Sequence, residues 1–165
     1  MRDIYVVGDA NVDIIVPYPR FLNEERTLVD YPNPELVGGG TSANTAVALA
    51  KLGLPVSFLG TIGDDQYGKY IQKDFKEQGV NTADLIVDPK LNTVGVFAFI
   101  DENGERYLWG WPRVDQAFKV LERDKVPFEK IEAADWVHSS GMSLVYDTSA
   151  RTEIIEIFKK AYEAG

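Results

Sequence analysis

The chain has 165 residues, 45% apolar and 26% charged, which suits one soluble globular domain with a real core. Its formal net charge is −9, from 26 acidic against 17 basic residues, which argues against duplex nucleic acid or an anionic membrane as partner. With no cysteine and a single histidine, His138, it can form neither disulfides, thiolate metal sites nor a histidine metal cluster.

No window is apolar enough to cross a bilayer, and the N-terminus "MRDIYVVGDA" lacks a long apolar run and a small-residue cleavage site. A cytoplasmic protein is expected. "DIYVVG" (3–8) reads as a parallel strand covered on both faces. "DIIVPYP" and a polar stretch to Pro34 follow, with four prolines between Pro17 and Pro34. In "LVGGGTSANTAVALAKLG", Thr41 or Ser42 is expected to cap a helix with Ala43, Ala46, Val47 and Ala50 inward, ending at Gly53.

"PVSFLGTIG" reads as a second core strand. "DQYGKYIQKDFKEQG" predicts an amphipathic helix with Tyr67, Ile71 and Phe75 on one stripe and Gly79 past its end. "NTVGVFAFI" and "ERYLWGW" flank the turn "DENG" and predict a hairpin apolar on both faces: Val94, Val96, Ala98 and Ile100 on one, Phe97 and Phe99 on the other. "FEKIEAADWVHSSG" predicts a helical turn and a third core strand. "DTSARTEIIEIFKKAYEAG" predicts a last helix with Ile154, Ile157, Phe158 and Ala161 inward. Alternating strands and helices give an α/β fold with a mostly parallel sheet. The Pro-rich excursion and the hairpin are expected to pair in a small sheet outside it.

"GDDQYGKY" (63–70) comes close to a phosphate-binding P-loop, with Gly63, Gly68 and Lys69 on the pattern. Tyr70 stands where a short hydroxyl should meet Mg²⁺. Asp64 and Asp65 place negative charge where backbone N–H groups should meet phosphate. The segment is expected to be a capped helix start. "GDANVD" has one glycine where a dinucleotide fingerprint needs three, which disfavours a dinucleotide-binding enzyme.

Two stretches lie beyond carboxyl ends of core strands, where α/β proteins bind ligands. In extended backbone Asp9, Asn11 and Asp13 fall on one side, a set suited to hydroxyl groups. The plainer alternative is that Asp9 and Asn11 only satisfy turn backbone. Asp13, beside "IIV", calls for a partner. In "GGGTSAN", three glycines favour a bend or close approach to a ligand, and Asn44 falls in the first helical turn; a flexible linker is the alternative. The two stretches are expected to converge into a cradle for a polyol.

"VGDANVDI", "GGGTSANTAVALAKLG", "FLGTIGDDQYGKY", "GVN", the hairpin and "ADWVHSSG", in this order over essentially the whole chain, resemble the ribokinase/PfkB family of carbohydrate kinases. The glycine-pair-to-Asn segment is the most specific of them.

The resemblance implies a three-layer ribokinase-like (Rossmann-like) α/β domain, here its N-terminal part over 1–165, with β-lid strands from about 12–38 and 92–111. It implies phosphoryl transfer from ATP to a sugar or nucleoside hydroxyl. Asn11 and Asp13 match the family's hydroxyl-binding pair, Gly39 and Gly40 its substrate-contacting glycines, and Thr41 and Asn44 further contacts. Phe97 and Trp109 are then expected on the sugar's apolar face, and Arg113 within reach of a carboxylate or phosphate, with surface solvation as its alternative. The lid's other face is a candidate homodimer contact. Ribokinase carries a substrate-binding Glu near Gly141, which this chain lacks, so ribose is less secure as substrate.

The family's Gly-Ala-Gly-Asp signature, which supplies the general base and anion hole, is absent from this sequence. The sites for ATP and Mg²⁺ are therefore expected outside the chain, and no catalytic residue or metal site within it. The chain reads as the sugar-binding half of a kinase, inactive alone. The alternative is a free-standing sugar-binding or dimerising module derived from a kinase.

Overall fold

The computed structural model describes residues 3–17 and 33–165. In chain order, β1 (Ile4–Val7), β2 (Asn11–Pro17) and β3 (Glu35–Gly39) precede α1 (Thr41–Lys51), and β4 (Val56–Leu59) and β5 (Thr61–Gly63) precede α2 (Gln66–Gln78). Then come β6 (Ile86–Asp88), β7 (Gly95–Ile100), β8 (Arg106–Trp111), α3 (Phe128–Glu132), β9 (Trp136–Ser139) and α4 (Ser149–Ala164). The rest of the Pro-rich excursion, residues 18–32, lies outside the described residues.

β1 is the centre of a three-stranded parallel sheet of order β4-β1-β9. Its alternation sends Ile4 and Val6 toward Phe58, Ala46, Ile71 and Phe75 on the side of α1 and α2. Tyr5 and Val7 go the other way, to Ile131, Ile154 and Ile157 on the side of α3 and α4. The result is three layers, helices on both faces of a parallel sheet, and a continuous apolar run is the sequence that such a strand requires. Burying each large aliphatic side chain contributes about 1.5–3 kcal/mol. β5 and β6 form a short parallel pair beyond β4.

A second, four-stranded sheet has the order β3-β2-β7-β8. β2 runs parallel to β7, and the pairs β2–β3 and β7–β8 are antiparallel. The register Asp13–Val96–Gly110 defines one face of this sheet, and Ile14–Phe97–Trp109 the opposite one.

Several local expectations change. The stretch 55–63 is two strands, not one, with β4 in the central sheet and β5 pairing with β6. α1 is capped by neither Thr41 nor Ser42; Gly40 is its N-cap residue and makes no side-chain cap. Ala43 and Ala46 are buried, while Val47 and Ala50 are only partly covered. Phe158 is 41% exposed, because the inward stripe of α4 runs through Ala150, Ile154 and Ile157. Asp65 caps α2: one carboxylate oxygen accepts from the Gly68 N–H at 2.8 Å and the other from the Thr93 N–H at 2.8 Å. Lys69 pairs with exposed Asp64 at 3.4 Å. The P-loop-like segment is thus fitted to its own helix.

Candidate functional site

α1 begins against the turn that follows β1, and the element that joins them is Asp9. Its carboxylate accepts from the Thr41 N–H at 2.7 Å, the Ser42 N–H at 3.2 Å and the Ser42 hydroxyl at 2.8 Å. The Ser140 and Ser143 hydroxyls, beyond β9, add bonds of 2.8 and 3.3 Å. Asp9 is therefore the N-cap that α1 lacks in its own sequence, supplied from 32 residues upstream. Burial alone would push its carboxyl up, but the bonds from Ser140, Ser42 and the Thr41 backbone prevail and hold it below the ordinary carboxylate value.

Gly40 has φ +100°, and a Cβ there would stand 2.7 Å from the Asp9 carbonyl oxygen. This conformation and this close approach both require glycine. At Gly39 a Cβ would stand 2.6 Å from the Asp13 carboxylate, so its missing side chain leaves the space that Asp13 occupies.

Past this junction a cavity of about 650 Å³ opens between the second sheet and the strand ends of the central one. Asn11 and Asp13 line it from β2, and Gly40, Thr41 and Asn44 from the start of α1. The Asn11 side-chain amide donates to Asp13 at 2.8 Å. Burial pushes the Asp13 carboxyl up, against the bond from Asn11 and the charge of Arg106, which lower it. Asp13 is a partly desolvated acceptor whose one bond among the described residues comes from Asn11, and it faces space large enough for a monosaccharide.

The sequence-predicted residues do not all arrive there. Gly39 lines a neighbouring groove of about 420 Å³. Asp9 reaches the cavity wall, but its oxygens are taken up by the α1 cap, as the turn-backbone alternative had it in kind. Phe97 and Trp109 do not line the cavity. They sit on the opposite face of the second sheet from Asp13, with ring centres 5.6 Å apart, and Trp109 meets Trp111 at 6.0 Å. The cavity-facing positions of the hairpin are Val96, Leu108 and Gly110. The period-2 alternation separates the two sets in sequence; it cannot say which set faces in. Arg113 reaches the cavity wall but is exposed, as its surface-solvation alternative had it.

Lys119, Phe118, Tyr146 and Met142 also line it and went unnoticed in the sequence. No local signal marks them, because they come from two loops brought together by β9 and the turn Ala117–Lys119. Among the described residues no group of His, Cys, Asp or Glu is arranged to hold a metal ion.

Residues 1–165 match the pfkB family of carbohydrate kinases. A fructokinase of Vibrio alginolyticus is 35% identical, covering 100% of this chain and 48% of its own length. A 5-dehydro-2-deoxygluconokinase of Bacillus subtilis is 38% identical over 149 residues, 89% of this chain and 44% of its own. A solved fructokinase from Xylella fastidiosa superposes with a TM-score of 0.83 at 26% identity, covering 100% of this chain and 50% of that one. A structure of fructokinase from that organism with bound ATP has the same fold, with a TM-score of 0.83 at 24% identity, covering 99% of this chain and 49% of that one. The chain spans about half the length of the curated relatives it matches. It belongs to the pfkB family of carbohydrate kinases.

Proposed function

We propose that this chain is the acceptor-binding half of an ATP-dependent carbohydrate kinase, holding a sugar while one of its hydroxyls receives the γ-phosphoryl group. The observation that carries the reading is the shared cavity of Asn11, Asp13, Gly40, Thr41 and Asn44. Asn11 holds Asp13 in one orientation, and Asp13 accepts hydrogen bonds from sugar hydroxyls, which offset the desolvation of its carboxylate. Asn44 and Thr41 supply further polar contacts, and Gly39 makes room for Asp13. The second sheet acts as the lid, with Val96 and Leu108 turned toward the sugar to exclude water.

ATP with Mg²⁺ supplies the phosphoryl group. The loop at 63–70 is closed on itself through Asp65, which supports seating that pair elsewhere. We place both, with the general base, in the half of the family's length that this chain does not span. A cytoplasmic location, where ATP is held, accompanies this reading. Among the described residues no helix is long and apolar enough to cross a membrane.

The outer face of the lid sheet exposes Leu36, Tyr107, Trp109 and Trp111, an apolar patch for which a second copy of the chain is the proposed cover. A free-standing sugar-binding or dimerising module is the competing reading. Among the described residues β9 is an edge of the central sheet and its Trp136 is 66% exposed, which speaks against that reading. The test is a coupled ADP-release assay on a panel of sugars. Turnover is expected from the full-length protein and none from the 165-residue chain. Turnover by the chain alone overturns the division of labour, and sugar binding by a full-length protein that never consumes ATP favours the module.

A further inference from the structure

We infer that the acceptor carries an anionic group, carboxylate or phosphate, and that Lys119 together with Arg113 receives it. This rests on the kinase reading and narrows its substrate class.

Lys119 ends the 3-10 turn Ala117–Lys119, which is fixed by buried Ala117 and by the Ala117 N–H on the Asn92 carbonyl at 2.9 Å. Its ammonium stands 4.0 Å from the centre of the Tyr146 ring and 5.7 Å from that of Phe118. The two rings meet edge-on at 6.3 Å, and both line the cavity with Lys119. An aromatic platform holds a cation in place without cancelling its charge.

Lys119 also lacks a carboxylate. Among the described residues it is the one half-buried Lys or Arg side chain without an ion pair; the half-buried Lys160 pairs with Glu163, and the other unpaired cations are exposed. Arg113, exposed at the cavity wall, makes no ion pair among the described residues either.

The acidic residues of the cavity do not account for these charges. Asp9 is occupied by its five hydrogen bonds, and Asp13, on the same wall, makes no ion pair with either cation among the described residues. In a chain of net charge −9, two cations thus line one cavity without an ion pair among the described residues. A neutral sugar has only hydroxyls to offer them. An anionic group makes charge-assisted bonds of roughly twice the strength, bidentate to Arg113 and as a point charge to Lys119.

The experiment compares kcat/KM for fructose and ribose, for aldonates and keto-aldonates, and for sugar phosphates, in the full-length protein and its Lys119→Met and Lys119→Arg variants. An anionic acceptor should exceed the neutral sugars by about tenfold or more. Lys119→Met should narrow that preference by about ten- to a hundredfold, and Lys119→Arg should restore most of it. The aldonate and phosphate arms decide which anion is read. Preference for neutral sugars, or a Lys119→Met loss equal for every acceptor (the mark of a cation serving the transferred phosphoryl group), overturns the inference and leaves the kinase reading standing. ADP release with no acceptor at all removes both.

Discussion

Asp9 and Asp13 stand four residues apart, and both reach the wall of one cavity, yet their settings are opposite. Asp9 is 5% exposed, takes five hydrogen bonds and is held below its ordinary carboxyl value. Among the described residues Asp13 takes one bond, from Asn11, and burial pushes it above that value. A carboxylate whose acceptors are filled by its own fold is a structural part. One that is desolvated and has a single donor among the described residues is the candidate for a ligand. The same contrast separates the two glycine-bearing helix starts. At 63–70 the cap is local, from Asp65, and the loop is closed. At 38–44 the cap comes from Asp9, and the helix start is left to face the cavity.

The sharpest way to break the contrast is to remove each carboxylate in turn. Asp9→Ala strips a helix cap and leaves buried hydroxyls and N–H groups without an acceptor, so urea unfolding should show a loss of about 3 kcal/mol or more. A loss below about 1 kcal/mol would mean that water replaces Asp9 there. Asp13→Ala should leave the unfolding midpoint near wild type and weaken sugar binding in the full-length protein by about ten- to a hundredfold, measured by calorimetry. Unchanged sugar affinity would take Asp13 out of the site.

The adjacent glycines should divide the same way. Gly40→Ala forces a side chain into a left-handed conformation and against the Asp9 carbonyl, costing about 1–3 kcal/mol of stability. Gly39→Ala displaces the Asp13 carboxylate instead, so its main effect should fall on sugar affinity. If the two variants lose stability and affinity in equal proportion, the division fails.

Acid titration gives a subtler reading. Because the folded value of Asp9 is depressed, its stabilisation is present above the ordinary Asp range near 3.9 and is lost as pH falls through the folded value. Asp13 has the opposite sign. Its folded value is raised, so it is unfavourable when ionised, and that cost disappears as pH falls through the folded value toward 3.9. Asp13→Asn should therefore raise the melting temperature slightly at pH 7, with the gain vanishing in acid, while Asp9→Asn should flatten the acid limb of the stability curve. The smallest effect belongs to the exposed Lys69–Asp64 pair: Lys69→Ala should change stability by less than about 0.5 kcal/mol. A large loss of ATP affinity in that variant would reopen the P-loop question.

Much of this was legible along the chain because the signals are local. The unbroken apolar run of β1, the stripe Tyr67, Ile71 and Phe75 on α2, and the capped start of that helix at Asp64 or Asp65 depend on neighbours within a turn or two. Phe158 was misjudged because the two-sided apolar pattern of α4 leaves the direction of its inward stripe open until α3 and the central sheet take their places. The hairpin alternation was legible too, but a period of two is symmetric with respect to the two faces, so Phe97 and Trp109 were assigned to the wrong one.

The sequence by itself determined the strand–helix alternation, the glycines at the bend and the polar pair Asn11 and Asp13 beyond strand one, since each is written in residues close together. Only the tertiary structure decided that Asp9 belongs to the fold. Two of its donors, Ser140 and Ser143, lie 131 and 134 residues away and meet it only because β9 docks beside β1. The setting of Lys119 on the Tyr146 ring has the same cause. A hydrogen bond or a ring contact acts over a few ångströms of space, and chain distance carries no record of it.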